Sequence, residues 1–241
     1  MSVLIYNDKE ALLSDLAEYI LKIGNKAIQE KGRFNFVLTG GSSPKALYQA
    51  LATTYRERLD WTQVYFFFGD ERDVPPENQN YNGLMAKESI LEPLNIAEDH
   101  IFYVNTRLNA EEAAEAYIAA IQDHFKGEVP SFDLILLGMG DEAHTASMFP
   151  YTDILKNESA TVASVYVEKL SANRISFTAP LINLANNVAF LVFGSGKAEA
   201  VKQVIEPEEK NPMLYPAQLI QPIDGSLTWF LDEDAAALLT K

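Results

Sequence analysis

Of the three histidines in this 241-residue chain, one stands where proton-transfer chemistry is feasible. His144 lies in the run GMGDEAHTASMFP, a glycine turn that also carries Asp141 and Glu142. A free imidazole titrates near pH 6.5, at about the point needed to take a proton from water under neutral conditions. A neighbouring carboxylate can fix which ring nitrogen holds the proton. His124, on a polar helical stretch, and His100, in a connector, read as surface residues. A Ser–His–acid arrangement with Ser42, Ser43 or Ser147 is open in principle, but no Gly-x-Ser-x-Gly elbow is present. Direct attack by water needs fewer assumptions. The histidines show no metal-ligand spacing, and the absence of cysteine excludes thiolate chemistry and disulfides.

Three further segments carry polar groups that suit an anionic ligand. In TGGSSPKALYQAL, Gly40 and Gly41 allow a tight turn, Ser42 or Ser43 suits an N-cap, and Pro44 suits the first helical position. A helix that starts there offers free N–H donors and a partial positive charge to phosphate or carboxylate. The spacing is neither a Walker loop nor a dinucleotide fingerprint, so no nucleotide cofactor is implied. In GDERDVPPENQNYN, Arg72 has the planar fork that clamps an oxyanion, and Asp70 can orient a water, a sugar hydroxyl or a basic neighbour. Arg174, ahead of ISFTAPLINLA, and Lys197, in GSGKA, can complete the pocket. The chain carries a formal charge of -15. That charge argues against nucleic acid as a partner and makes basic residues at strand ends the more telling.

Positioning these groups requires a scaffold, and the apolar pattern supplies one. Phe34–Leu38, Val64–Phe68, Phe132–Leu137 and Val188–Phe193 are short, nearly continuous apolar runs, as expected of strands covered on both faces. Val162–Val167 and Leu227–Leu231 are further strand candidates. Helical spacing links Leu12, Leu16, Tyr19, Ile20 and Ile23, then Ala46, Leu47, Ala50 and Leu51, then Ala113, Ala116, Tyr117, Ala120 and Ile121. The alternation predicts an α/β fold: a mainly parallel, doubly wound, Rossmann-like sheet with helices on both faces, formed as one domain over residues 1–241. Each of the four strong runs ends in a glycine turn bearing polar or charged side chains, and open α/β sheets bind ligands outside the carboxyl ends of their strands. No stretch reaches the roughly 18 apolar residues of a membrane span. The N-terminus lacks the layout of a secretory signal. The chain reads as cytoplasmic.

The segments TGGSSPKALYQAL, FFFGDERDVPPENQNYN, FDLILLGMGDEAHTASMFP, RISFTAPLINLA and FLVFGSGKAEAV together resemble, in order, the motifs of the 6-phosphogluconolactonase family, and PAQLIQPIDGSLTWFLDEDAA resembles its C-terminal stretch. The resemblance spans nearly the whole chain. It implies the α/β fold shared with glucosamine-6-phosphate isomerase/deaminases, and hydrolysis of 6-phosphoglucono-δ-lactone in the oxidative pentose phosphate pathway without metal or nucleotide. It further implies His144 as the base that activates water. Arg72, Arg174 and Lys197, with the Gly40–Ser43 turn, would hold phosphate and lactone oxygens, and Asp70 would lie beside the ring. The implied partner is a small phosphorylated sugar lactone met by a monomer or small homo-oligomer. Where the family usually reads Asp-Gly-His, this chain has Glu142, Ala143 and His144, and Ser43 replaces the usual Thr. The longer Glu142 carboxylate would need a shifted backbone to orient His144, with Asp141 the alternative partner. If position 143 takes a positive φ, alanine there costs roughly 1 kcal/mol. Two other functions accompany the resemblance: an amino-sugar-phosphate isomerase or deaminase, and a sugar-phosphate-binding protein without catalysis.

Overall fold

The structure is a computed structural model and describes residues 1–240. Strand β1 (Ser2–Tyr6) leads to helix α1 (Lys9–Lys31), then β2 (Phe34–Leu38), α2 (Ser42–Ala52), β3 (Val64–Phe68) and β4 (Asp70–Arg72). Helix α3 (Asn82–Ala86) runs on into a π-helical turn, and α4 (Ala110–His124), β5 (Leu134–Leu137) and β6 (Val162–Val167) follow. The chain ends with β7 (Ala172–Phe177), α5 (Ala179–Ile182), β8 (Asn187–Val192), α6 (Ala198–Ile205) and β9 (Ser226–Asp232). Six strands form a wholly parallel sheet in the order β1-β9-β8-β5-β2-β3, and β4-β7-β6 form a separate antiparallel sheet.

The expected α/β architecture is present, with helices on both faces. Phe34, Phe36 and Leu38 of β2 pack with α1 and α2, while Val37 faces the side covered by α4, α6 and the small sheet. Helix α1 shows why the sequence folds this way. Asp8 caps it by accepting from the Ala11 amide at 2.7 Å, and Gly32 ends it in the left-handed region at φ 71°. Between these signals Leu12, Leu16, Ile20 and Ala27 keep one buried stripe. Three strands were not visible in the pattern. β1 is an edge strand with exposed residues, β7 is polar over Ala172–Arg174, and Asp70–Arg72, expected as a loop, is a strand of the second sheet.

Two buried tyrosines tie the helices to the strand ends. The Tyr48 hydroxyl of α2 accepts from the Thr39 amide and donates to the Thr39 carbonyl, each at 2.9 Å. From the opposite face, the Tyr117 hydroxyl of α4 does the same for Phe68, at 2.7 and 3.2 Å. Each satisfies a backbone donor and acceptor at the point where β2 or β3 leaves the ladder, where orphaned groups would otherwise be buried. The turns that follow are thereby fixed in place.

Glu71 performs the corresponding task for β4. It is fully buried, and its carboxylate accepts from the amides of Arg72 (2.8 Å), Asn82 (2.7 Å) and Gly83 (2.9 Å). It thus clamps the start of α3 to β4. Burial pushes this carboxyl up to about 8, against the pull of the three N–H donors. A Glu71→Gln substitution would set an amide NH2 against a backbone N–H, and we expect it to lower stability by about 1–3 kcal/mol. Urea unfolding checks this; an unchanged midpoint would show that the clamp is dispensable.

The two histidines expected at the surface are both partly buried. His124 lies among Tyr65, Phe67, Phe102 and Phe125, and its Nε2 is 2.8 Å from Asn35 Oδ1. His100 stacks on Tyr65 with ring centroids 4.0 Å apart. The aromatic neighbours come from separate segments, so the polar local sequence around His124 gave no warning. Burial, reinforced by Arg33, lowers the His124 pKa to about 4. A base whose folded pKa lies below its unfolded value supports folding fully above pH 6.5 or so and loses that support as the pH falls towards 4. Thermal unfolding of the native chain should therefore drop more steeply over that window than that of His124→Gln; parallel curves would contradict it.

Candidate active site

After β2 the chain moves outward to β3, then returns to the other side of β2 for β5, β8 and β9. The turns after β2 and β5 therefore diverge, leaving a crevice outside the carboxyl ends of the strands. A cleft of about 580 Å³ lies there. The ten residues assigned to the site from the sequence all line it: Gly40, Gly41, Ser42, Ser43, Asp70, Arg72, Glu142, His144, Arg174 and Lys197.

The turn after β2 differs in one respect from the sequence expectation. Gly41 itself is the N-cap of α2, at φ 117°, and no side chain caps the helix. Ser42 and Ser43 are the first two helical residues and Pro44 the third, because glycine enters the helix from a conformation denied to serine. The first-turn N–H groups thus lack a side-chain partner, as an anion site requires. Gly40 cannot bear a side chain, since a Cβ there would lie 2.0 Å from Asn82 Oδ1. Buried Asn82 fills that space and donates to the Asp70 carbonyl at 3.0 Å.

His144 sits in a loop of unusual backbone. Ala143, Ala146 and Tyr151 have φ of 58°, 47° and 61°, a left-handed region that costs non-glycine residues. The surroundings hold the loop firmly. The Gly140 amide donates to the His144 carbonyl (2.9 Å), the Ala143 amide to Gly140 (3.0 Å), the Thr145 hydroxyl to Gly138 (2.8 Å) and the Ala217 amide to Ala143 (2.9 Å). The imidazole stacks on Phe149 at 3.9 Å. Its Nδ1 is buried without a hydrogen bond, 3.6 Å from Glu142 Oε1. Burial pushes the His144 pKa below its ordinary value, opposed by Glu142 and Asp70 and assisted by Lys197 and Lys169.

Charge around the cleft is organised in pairs. Asp141 is bonded to Lys197, so the carboxylate nearest His144 is Glu142 and not Asp141. Arg72 of β4 and Arg174 of β7 stand directly opposite each other in the antiparallel register. Like charges so placed repel; burial first, then Arg72, pushes the Arg174 pKa down. Among the described residues neither guanidinium has a carboxylate within ion-pair reach; Arg72 donates to the Asn80 carbonyl and Arg174 to that of Asn173. A bound dianion would relieve the repulsion. The buried Ser147 hydroxyl donates to Asp70 Oδ2 at 2.6 Å, which commits it to Asp70 and away from a nucleophile's role beside His144. Three residues at or behind the cleft escaped sequence reasoning: Asn82 and Glu71, which support their neighbours, and Lys169, which pairs with Glu142; Ser147, weighed as a nucleophile, supports Asp70 instead. Only the strand-end position of Glu71 offered any signal.

Comparison with known proteins places this geometry in a lineage. The sequence profile described as glucosamine-6-phosphate isomerases/6-phosphogluconolactonase matches residues 7–229. A 6-phosphogluconolactonase from Nostoc is 39% identical over 244 residues, covering 99% of this chain and 98% of that protein. One from Synechocystis is 41% identical over 216 residues, covering 87% and 86%. The crystal structure of a devB protein superposes with a TM-score of 0.88 at 31% identity, covering 99% of both chains. The chain belongs to the glucosamine-6-phosphate isomerase/6-phosphogluconolactonase family.

Proposed function

We propose that this protein hydrolyses 6-phospho-D-glucono-1,5-lactone to 6-phospho-D-gluconate, with His144 as the base that activates water. The observation that carries the reading is a partly buried imidazole, backed by a carboxylate, on a cleft that also holds an arginine pair with no carboxylate partner. The curated relatives that span the chain are named for this activity, which favours it over the isomerase side of the family.

With its proton on Nδ1, facing Glu142, His144 leaves the Nε2 lone pair for the cleft. Nε2 removes a proton from water as the oxygen attacks the lactone carbonyl carbon. Negative charge develops on the carbonyl oxygen, and one well-placed donor there is worth about 3–4 kcal/mol. The tetrahedral intermediate collapses by breaking the bond to the ring oxygen, which takes the proton back from His144. Carboxylic acid and alcohol result, and the imidazole is restored. Arg72 and Arg174, with the amides at the start of α2 and Lys197, hold the phosphate and lactone oxygens, and Asp70 borders the sugar ring. A lost-catalysis reading rested on the Glu142–Ala143 substitution. It weakens because Ala143 still adopts the left-handed conformation and Glu142 still flanks the imidazole.

Purified protein should speed acid release from freshly made lactone above the spontaneous rate at neutral pH; no acceleration would overturn the assignment, and ammonia from glucosamine 6-phosphate would favour the isomerase branch. His144→Ala should lower kcat by about 10²–10⁴-fold and still bind 6-phosphogluconate. Because His144 is held below its ordinary pKa of 6.5, kcat/KM should stay level through pH 7 and fall only below pH 6.5. An acid limb centred above 6.5 would contradict the burial of the imidazole.

A further inference from the structure

Glu142 is the weak point of this site on simple grounds of flexibility. Its side chain has one more rotatable bond than the aspartate the family usually carries, and it approaches His144 Nδ1 without reaching hydrogen-bond distance. Among the described residues, a single side chain restrains it. Lys169 Nζ donates to Glu142 Oε2 at 2.5 Å, while Oε1 faces His144 Nδ1 at 3.6 Å. One carboxylate thus bridges the lysine and the imidazole.

The two ends of this bridge rest on rigid parts of the molecule. The peptide after Glu142 is fixed by buried Ala143, whose amide and carbonyl are both hydrogen bonded. Lys169 lies in the short turn between β6 and β7, closed by the Val167–Ala172 pair and by left-handed Ser171 at φ 47°. β7 in turn carries Arg174 and pairs with β4, so the turn is joined through the ladder to the arginine pair.

We propose that Lys169 is a positioning residue: by holding the longer Glu142 carboxylate against the imidazole, it keeps the His144 proton on Nδ1 and Nε2 free to accept one from water. The inference rests on the hydrolytic reading above. Lys169 does the work that a shorter aspartate does through its own stiffness, and it makes Glu142 serviceable in a position otherwise suited to Asp. The competing role is direct: the side chain is largely exposed at the cleft and could grip the substrate phosphate instead.

The charges facing His144 pull in opposite directions. Glu142 and Asp70 favour the protonated ring, whereas Lys197 and Lys169 oppose it, and Asp141 is engaged by Lys197. Removing Lys169 takes away a cation, which favours protonation of His144, but it also releases Glu142 from the ring, which opposes protonation.

Four variants test the proposal: Lys169→Met and Lys169→Arg, each alone and in a Glu142→Gln background. Lys169 is exposed, so these changes leave the core intact. An orienting carboxylate can be worth about 10⁴ in kcat, and a residue one contact removed less, so Lys169→Met should lower kcat about tenfold with KM within about twofold. Lys169→Arg should restore most of the rate. In the Glu142→Gln background the same change should have no further effect. A KM that rises with kcat unchanged, or a loss that persists with Gln at 142, assigns Lys169 to phosphate binding and overturns the proposal. Nitrogen NMR of the His144 ring gives a readout independent of turnover. The Nδ1–H tautomer should dominate in the native chain and lose ground in Lys169→Met. If no lactone is hydrolysed, the functional reading fails; an unchanged tautomer in Lys169→Met defeats the positioning role whatever the reaction.

Discussion

The His144 imidazole occupies the space that any side chain at residue 140 would need. A Cβ on Gly140 would lie 2.0 Å from Cε1 and 2.2 Å from Nδ1, inside van der Waals contact by more than a small shift could relieve. Much of the surrounding loop follows from this close approach. To fold the ring back over Gly140 and onto Phe149, the chain must reverse within four residues, and it does so through left-handed Ala143. Such a conformation persists only when neighbouring contacts over-determine it. Here the carbonyl of Ala143 accepts from Ala217, the carbonyl of Gly138 from Thr145, and the Ser147 amide donates to Ser176 of β7. The His144 loop is therefore braced by its own Thr145–Gly138 bond and from two other segments of the chain.

The same bracing explains why the second sheet belongs to the site although the parallel sheet supplies the crevice. β7 touches the His144 loop through Ser176 and places Arg174 opposite Arg72. β4 is in turn clamped by Glu71 to the start of α3, and Asn82 from that helix fills the space beside Gly40. The turn after β2 and the His144 loop after β5 are thus linked through buried side chains. Tyr48 and Tyr117 close the ends of β2 and β3 from opposite faces. Strand β4 is the shortest in the molecule, yet it carries Asp70, Glu71 and Arg72 in alternation: two side chains to the cleft and one to the interior.

What could be read from the residues alone divides along physical lines. The bounds of β2 and β3 follow from nearly continuous apolar runs, because strands covered on both faces leave few polar positions to blur them. β7 was invisible because Asn173, Arg174 and Ser176 interrupt its apolar residues, its first half being only partly buried. The cleft residues were legible where glycine marked the strand end. Lys169 was not, since its value depends on a hairpin tip meeting a loop some 27 positions away in sequence. His124 was misjudged for the same reason: local polarity described its helix, whereas Tyr65, Phe67 and Phe102 decide its burial.

Residue 143 shows how alanine can hold a left-handed position, at φ 58°. The left-handed conformation disfavours alanine relative to glycine by about 1 kcal/mol or somewhat more. The methyl group is fully buried against the core, however, and burying one such carbon returns about 0.8 kcal/mol. Alanine also narrows the alternatives open to the unfolded chain, which acts in the same direction. The three effects nearly cancel, so a loop held by its hydrogen bonds keeps its shape with either residue. Glu142 has no such internal compensation. Its extra methylene adds rotamers that nothing in the loop restricts, and the restraint must come from outside. The β6–β7 turn provides it in the form of Lys169. Two adjacent substitutions thus have different remedies, one supplied by burial at the site itself and the other by a contact from a distant part of the fold.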